Sequence, residues 1–223
     1  MTKPGIATKK ISILVSDNIG KVSGVAVVPD HPVAVLVLAH GAGAGMMHSF
    51  LVTLSTELAA RSIATLRYNF PFKENGKGRP DPPAIAEKAV NAALNKALEL
   101  FPERPIFAAG KSFGGRMSSH LLSKSPPDFV KGIVYFGFPL HAPGKPSVDR
   151  AEHLKSIELP MLFLQGTRDA LATIDLMEKV VKKLRHATLK KFEGADHSFK
   201  FGKKEFIPDL ADETSIWVQN RLG

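Results

Sequence analysis

Six residues, Gly110-Lys111-Ser112-Phe113-Gly114-Gly115, constrain this chain more than any other stretch. A short apolar run, Ile106 to Ala109, leads into them, and a helix-compatible run from Met117 to Ser123 follows, so the local order is strand, turn, helix. Glycines stand two residues to either side of Ser112. A serine on so tight a turn takes strained dihedrals, and small neighbours leave its hydroxyl exposed. The free N–H groups at the start of the next helix favour negative charge beside it. A phosphate-binding loop ending in Gly-Lys-Ser is excluded, because the glycine it needs five positions before Gly110 is Pro105, which has neither the backbone freedom nor an N–H.

With 223 residues, 44% of them hydrophobic, the chain can bury a large core, and a single domain spanning 1–223 is expected. There are no cysteines, which removes disulfides, thiolate metal sites and a cysteine nucleophile, and leaves serine as the leading candidate. No apolar run reaches membrane-spanning length, and Met1 to Lys10 lacks the pattern of a secretory signal, so a cytoplasmic location without membrane association is expected. The net charge of +9 invites a nucleic-acid reading. The clusters at Lys182-Lys183, Lys190-Lys191 and Lys200 to Lys204 lack interleaved stacking aromatics, so a solvated basic surface is the better reading. The oligomeric state is not legible.

Along the chain, Thr8 to Val15 and Lys21 to Val28 read as an opening hairpin, and Val33 to Ala39 as a strand buried on both faces. Glycine-rich residues His40 to Gly45 follow, then a helix carrying Phe50, Leu51, Leu54, Leu58 and Ala59. Strands are expected at Ser62 to Tyr68, Val130 to Phe136, Met161 to Gln165 and Thr188 to Phe192, with helices at Pro83 to Leu100, Arg150 to Ser156, Asp175 to Leu184 and Glu205 to Leu222. Lys73 to Pro83 reads as a surface loop. This alternation predicts an α/β fold: a mostly parallel central sheet with helices on both faces.

In such sheets the working groups collect at the carboxyl ends of strands. Ser112, Asp169 and His197 each follow a strand, in the chain order Ser, Asp, His associated with a nucleophile elbow. Asp175 and Asp196 are the competing acids; Asp196, adjoining His197, is expected to point away. His40 reads as a loop-fixing histidine, since its eight-residue spacing to His48 is not that of a helical zinc pair. No metal and no cofactor is required.

From His40-Gly41-Ala42 through Arg67-Tyr68-Asn69-Phe70, the Ser112 elbow, Gly137-Phe138-Pro139-Leu140, Gln165-Gly166-Thr167-Arg168-Asp169 and Asp196-His197, the chain resembles the α/β-hydrolase superfamily and its dienelactone hydrolase-like branch. Within that branch it is similar to small hydrolase-like proteins related to a subunit of the non-specific lethal chromatin complex. Dienelactone hydrolases proper use cysteine where this chain has Ser112, so the resemblance implies fold and site layout and not their substrate.

The resemblance implies an α/β-hydrolase fold and a serine hydrolase of small carboxylic esters or thioesters working through an acyl-enzyme. His197 would take and return the Ser112 proton, and Asp169 would orient the imidazole. Backbone N–H groups of Ala42 and Phe113 would hold the oxyanion. Phe72 and Phe138 are candidates for the acyl pocket, with core packing as the alternative. Lys111 and Arg67 near the mouth are candidates for attracting an anionic substrate. Between Phe136 and Met161 there is no room for a helical cap domain, so an open, shallow crevice is expected. The rival from another class is a catalytically weak protein-binding domain on the same fold, and a peptidase is a third, less favoured reading.

Overall fold

The computed structural model describes residues 5–222. An antiparallel hairpin, β1 (Ile6–Ser16) and β2 (Gly20–Pro29), opens the chain. It is followed by β3 (Ala34–Ala39), α1 (Ser49–Ala59), β4 (Ile63–Tyr68), a one-turn α2 (Pro71–Glu74) and α3 (Pro83–Leu100). Next come β5 (Ile106–Lys111), α4 (Phe113–Lys124), β6 (Val130–Phe136), a 3₁₀ helix at Asp149–Ser156 and β7 (Met161–Gly166). The chain finishes with α5 (Ile174–Val181), β8 (Ala187–Phe192), a small hairpin of β9 (Lys200–Phe201) and β10 (Lys204–Glu205), and α6 (Ile207–Gln219).

Eight strands form one sheet in the order β1-β2-β4-β3-β5-β6-β7-β8. The β1–β2 and β2–β4 pairings are antiparallel and the five that follow are parallel. This is an α/β-hydrolase fold without a cap domain: the segment between β6 and β7 holds only loops and the 3₁₀ helix. The continuous apolar runs of the central strands follow from burial on both faces. Successive side chains point to opposite sides, so Leu36, Leu38, Phe107, Ala109, Val134 and Leu162 pack with α1 and α6. Their neighbours Val35, Val37, Ile106, Ala108, Ile133 and Met161 pack with α3, α4 and α5.

Expected elements lie within a few residues of those observed, and the helix at Pro83–Leu100 coincides with its expected bounds. Two differences stand out. The predicted terminal helix from Glu205 begins instead at Ile207, because Lys204–Glu205 pairs with Lys200–Phe201. The segment from Lys73 is not all loop, since Pro71 starts a short helix with the fixed φ suited to a first turn. Among the described residues, no helix is long and apolar enough to cross a membrane.

Candidate active site

Ser112 is the single residue between β5 and α4, with φ 52° and ψ −115°. A non-glycine residue there stores roughly 1–3 kcal/mol of strain, tolerated because the flanking elements over-determine the turn. The glycines around it have a more specific cause than turn flexibility. A Cβ on Gly110 would fall 2.3 Å from the Gly115 nitrogen, and one on Gly114 would fall 2.5 Å from the Ala39 carbonyl oxygen. The helix therefore starts pressed against the ends of β3 and β5, and only bare backbone allows that approach.

Ser112 Oγ lies 2.9 Å from His197 Nε2, and His197 Nδ1 donates to Asp169 Oδ2 at 2.7 Å. The three side chains come from the ends of β5, β7 and β8, 85 and 28 residues from one another through His197. With Nδ1 protonated toward the carboxylate, Nε2 offers its lone pair to the serine hydroxyl. Such a row can accept a proton from the hydroxyl and stabilise the resulting imidazolium.

The Asp169 side chain is wholly buried and its acceptor capacity is used. Oδ1 accepts from the Leu171 N–H at 2.8 Å, and Oδ2 also accepts from Gln165 Nε2 at 2.6 Å. Gln165 in turn accepts the Phe138 N–H at 3.0 Å, tying the end of β7 to the end of β6. A carboxylate so bonded keeps one orientation, which fixes the ring it faces. The competing acids are placed elsewhere. Asp196 Oδ1 caps its own turn, accepting from the Ser198 and Lys200 N–H groups at 2.8 and 3.0 Å, and Asp175 lies in the first turn of α5.

His40 closes the opposite side. Its Nδ1–H donates to the Gly41 carbonyl at 2.8 Å, and its Nε2 accepts the Phe70 N–H at 3.0 Å. Both nitrogens are committed and the ring is completely buried, which pulls its pKa down to about 4. The loop it anchors runs beside the nucleophile: a Cβ on Gly41 would lie 3.9 Å from that of Ser112. Among the described residues, the N–H groups of Ala42 and Phe113 meet no protein acceptor. They are free to receive one from outside.

Several expectations are corrected. Phe72 and Phe138 are core residues, each 1% exposed, and neither lines the cleft at Ser112. Phe72 packs on His40, Phe70 and Phe113, and Phe138 on Tyr135 and Phe163. Burying a phenylalanine gains about 1.5–3 kcal/mol, which keeps such rings inside wherever the backbone allows. Arg67 is not at the mouth but 3% exposed, donating to the Met46 carbonyl at 2.8 Å. With Asn69, whose Oδ1 accepts the Met46 N–H at 2.9 Å, it holds the 41–48 loop in place. The crevice has a volume of about 800 Å³, suited to a small ligand. Phe50, Leu51, Leu171 and Ile207 give it apolar walls, with Lys111, His48 and Lys200 among its polar groups.

Sequence reasoning did not single out Gln165 or Asn69 as supports. Both stand inside stretches that carried the resemblance, but nothing in one sequence says which motif residue bonds to which. Lys111 does line the cleft, and its ammonium is engaged there with the His197 carbonyl.

Comparisons with known proteins agree with this architecture. The chain superimposes on a dienelactone hydrolase from Anabaena variabilis with a TM-score of 0.80, at 19% identity over 98% of this chain and 99% of that one. A cold-adapted esterase from an Arctic intertidal metagenomic library matches with a TM-score of 0.73 at 17% identity, covering 100% and 97% of the two chains. The esterase domain of a Rhodothermus marinus protein matches at 0.74 and 15% identity over 97% and 100%. At these identities the likeness is one of fold. A family model described as "Alpha/beta hydrolase domain" matches residues 32–212, which takes in β3, the serine elbow, the aspartate and the histidine, and the chain belongs to that family.

Proposed function

We propose that the protein is a serine hydrolase of small carboxylic esters or thioesters, acting as one domain in the cytoplasm. The observation that carries this reading is the hydrogen-bonded row from Asp169 through His197 to Ser112, opening on a cleft beside two unengaged backbone amides. In the proposed reaction, Ser112 Oγ attacks the ester carbonyl carbon while its proton passes to His197 Nε2. The carbonyl oxygen becomes an oxyanion facing the N–H groups of Ala42 and Phe113. Collapse of the tetrahedral species expels the alcohol or thiol, which takes the proton back from His197, and leaves an acyl group on Ser112. Water attacks that ester by the same route, releasing the acid and restoring the hydroxyl. Asp169 stays ionised throughout and holds the imidazole.

The apolar walls around Phe50, Leu51, Leu171 and Ile207 suit a short or medium aliphatic or aryl group. The narrower resemblance to proteins related to a chromatin-complex subunit supports the rival reading, a binding domain with little turnover. One experiment separates them. An active-site fluorophosphonate is expected to add a single covalent mass to the wild-type protein, mapped to Ser112, and none to Ser112→Ala. A panel of p-nitrophenyl esters is expected to show turnover that Ser112→Ala loses. No adduct and no turnover on the wild type would reject the hydrolase.

A further inference from the structure

The lysine within the serine elbow has a built position that the row of three does not explain. Lys111 Nζ donates to the backbone carbonyl of His197 at 2.6 Å, joining the strand that ends at Ser112 to the loop that carries the imidazole. The ammonium lies 5.9 Å from the Phe50 ring centroid and 5.4 Å from that of Phe199. Such contacts favour a cation in a desolvated place. Gly137, at φ +72°, makes room for it: a Cβ there would come 3.1 Å from Lys111 Nζ and 3.5 Å from the His197 ring. The His197 loop is held within itself by the Asp196 cap, and the Lys111 bond ties it across to β5. It turns tightly, with Phe199 at φ 59°, and β9–β10 beyond it is only two residues long on each side.

We propose that Lys111 is a positioning residue, whose ammonium holds the His197 carbonyl and thereby sets the imidazole against Ser112. The charged and titratable groups around it are Asp169 from the β7–α5 loop, Asp196 and His197 from the loop after β8, and the His48 and Lys200–Glu205 side chains that line the same cleft. Burial draws the Lys111 pKa down to about 8, against the pull of Asp169 and Asp196. Deprotonation removes the charge from the bond to His197 and from the aromatic contacts, so the tether weakens above that pH.

The role rests on the hydrolase reading for its kinetic consequence, but the tether itself is measurable without turnover. The first variant is Lys111→Met, which keeps the stem and removes the donor. Because a misplacement of about 1 Å can cost ~100-fold, its kcat on p-nitrophenyl acetate is expected to fall roughly 10- to 100-fold, with KM within about threefold. The decline in wild-type rate as pH rises through about 8 is expected to disappear from its profile. Hydrogen exchange of residues 195–201 is expected to quicken in the variant, whether or not any ester is cleaved. Since the chain has no cysteine, Lys111→Cys can be alkylated with 2-bromoethylamine at one position while unfolded, then refolded beside an identically treated wild type. The restored amine is expected to recover the rate and the exchange protection, which general damage to the fold would not allow. Unchanged exchange in Lys111→Met, or an unchanged kcat and alkaline limb in an otherwise active enzyme, overturns the role. Absence of turnover in wild type, with faster exchange in the variant, rejects the hydrolase reading and leaves the tether standing.

Discussion

Two serine–histidine contacts involve serines seven residues apart in the chain, and only one of them has the surroundings that the proposed reaction needs. Ser112 Oγ and His197 Nε2 are 2.9 Å apart, and Ser119 Oγ and His153 Nε2 are closer still, at 2.7 Å. Distance alone would favour the second pair. Ser119 lies within α4 and donates to the Arg116 carbonyl at 2.8 Å, as serines in helices often do. With its one proton so placed, it can only accept from His153, whose Nε2 must then carry a hydrogen and has no lone pair to offer. His153 stacks on His120 with ring centroids 4.0 Å apart, and burial together with the nearby His120, Arg116 and Lys124 charges pulls its pKa down to about 4. No carboxylate faces its other nitrogen among the described residues, and Ser119 itself is fully buried. Around Ser112 the imidazole does face a carboxylate, its Nε2 meets the hydroxyl, and the pair opens on a cleft. What separates the pairs is the carboxylate, the strained exposed turn, the unengaged amides and the cleft.

The largest effect expected from this contrast is on ester hydrolysis. Ser112→Ala should lower kcat for a p-nitrophenyl ester by about 10⁴- to 10⁶-fold, whereas Ser119→Ala should stay within about threefold. Equal losses in the two variants would erase the distinction. Asp169→Asn comes next: an amide in place of the carboxylate favours the wrong tautomer of His197, and a fall of ~10⁴-fold in kcat is expected from steady-state rates.

A third effect is on stability and concerns acid. His40 and His153 both have pKa values lowered from 6.5 to about 4 in the folded protein. The unfolded chain then binds more protons between those limits, so stability is highest above pH 6.5 and declines as pH falls toward 4. For the buried His40 the loss amounts to about 3 kcal/mol at most. His153 is partly exposed and contributes less. Thermal unfolding from pH 7 to 4 should show the decline, and His153→Gln should reduce its slope without changing ester turnover at pH 7. The smallest effect falls on Gln165→Ala, which removes one support of Asp169 and leaves the buried Phe138 N–H without its partner. A stability loss of about 1–3 kcal/mol by chemical denaturation is expected. A rate loss near tenfold should accompany it.

Much of this was legible before any coordinates. The periodicities of Val33 to Ala39 and Pro83 to Leu100 reflect burial on two faces and on one, and they locate β3 and α3 within a residue. Gly110 and Gly114 on either side of Ser112 declare an elbow because a side chain at either position would collide with the backbone packed against the turn. The placement of Phe72 and Phe138 was not legible. Both stand beside strand ends, where a ring can turn toward the cleft or the core, and the choice depends on partners such as His40 for Phe72 and Phe163 for Phe138, far away in the chain.

Local rules thus settled which segments form strands and helices and which residue stands on the strained turn, because those outcomes depend on neighbours a few positions away. Only tertiary structure decided that Ser119 meets His153, which way Lys111 turns and what Gln165 holds. Each depends on groups brought together from 27 to 86 residues apart, and their pairing exists only once the sheet has assembled.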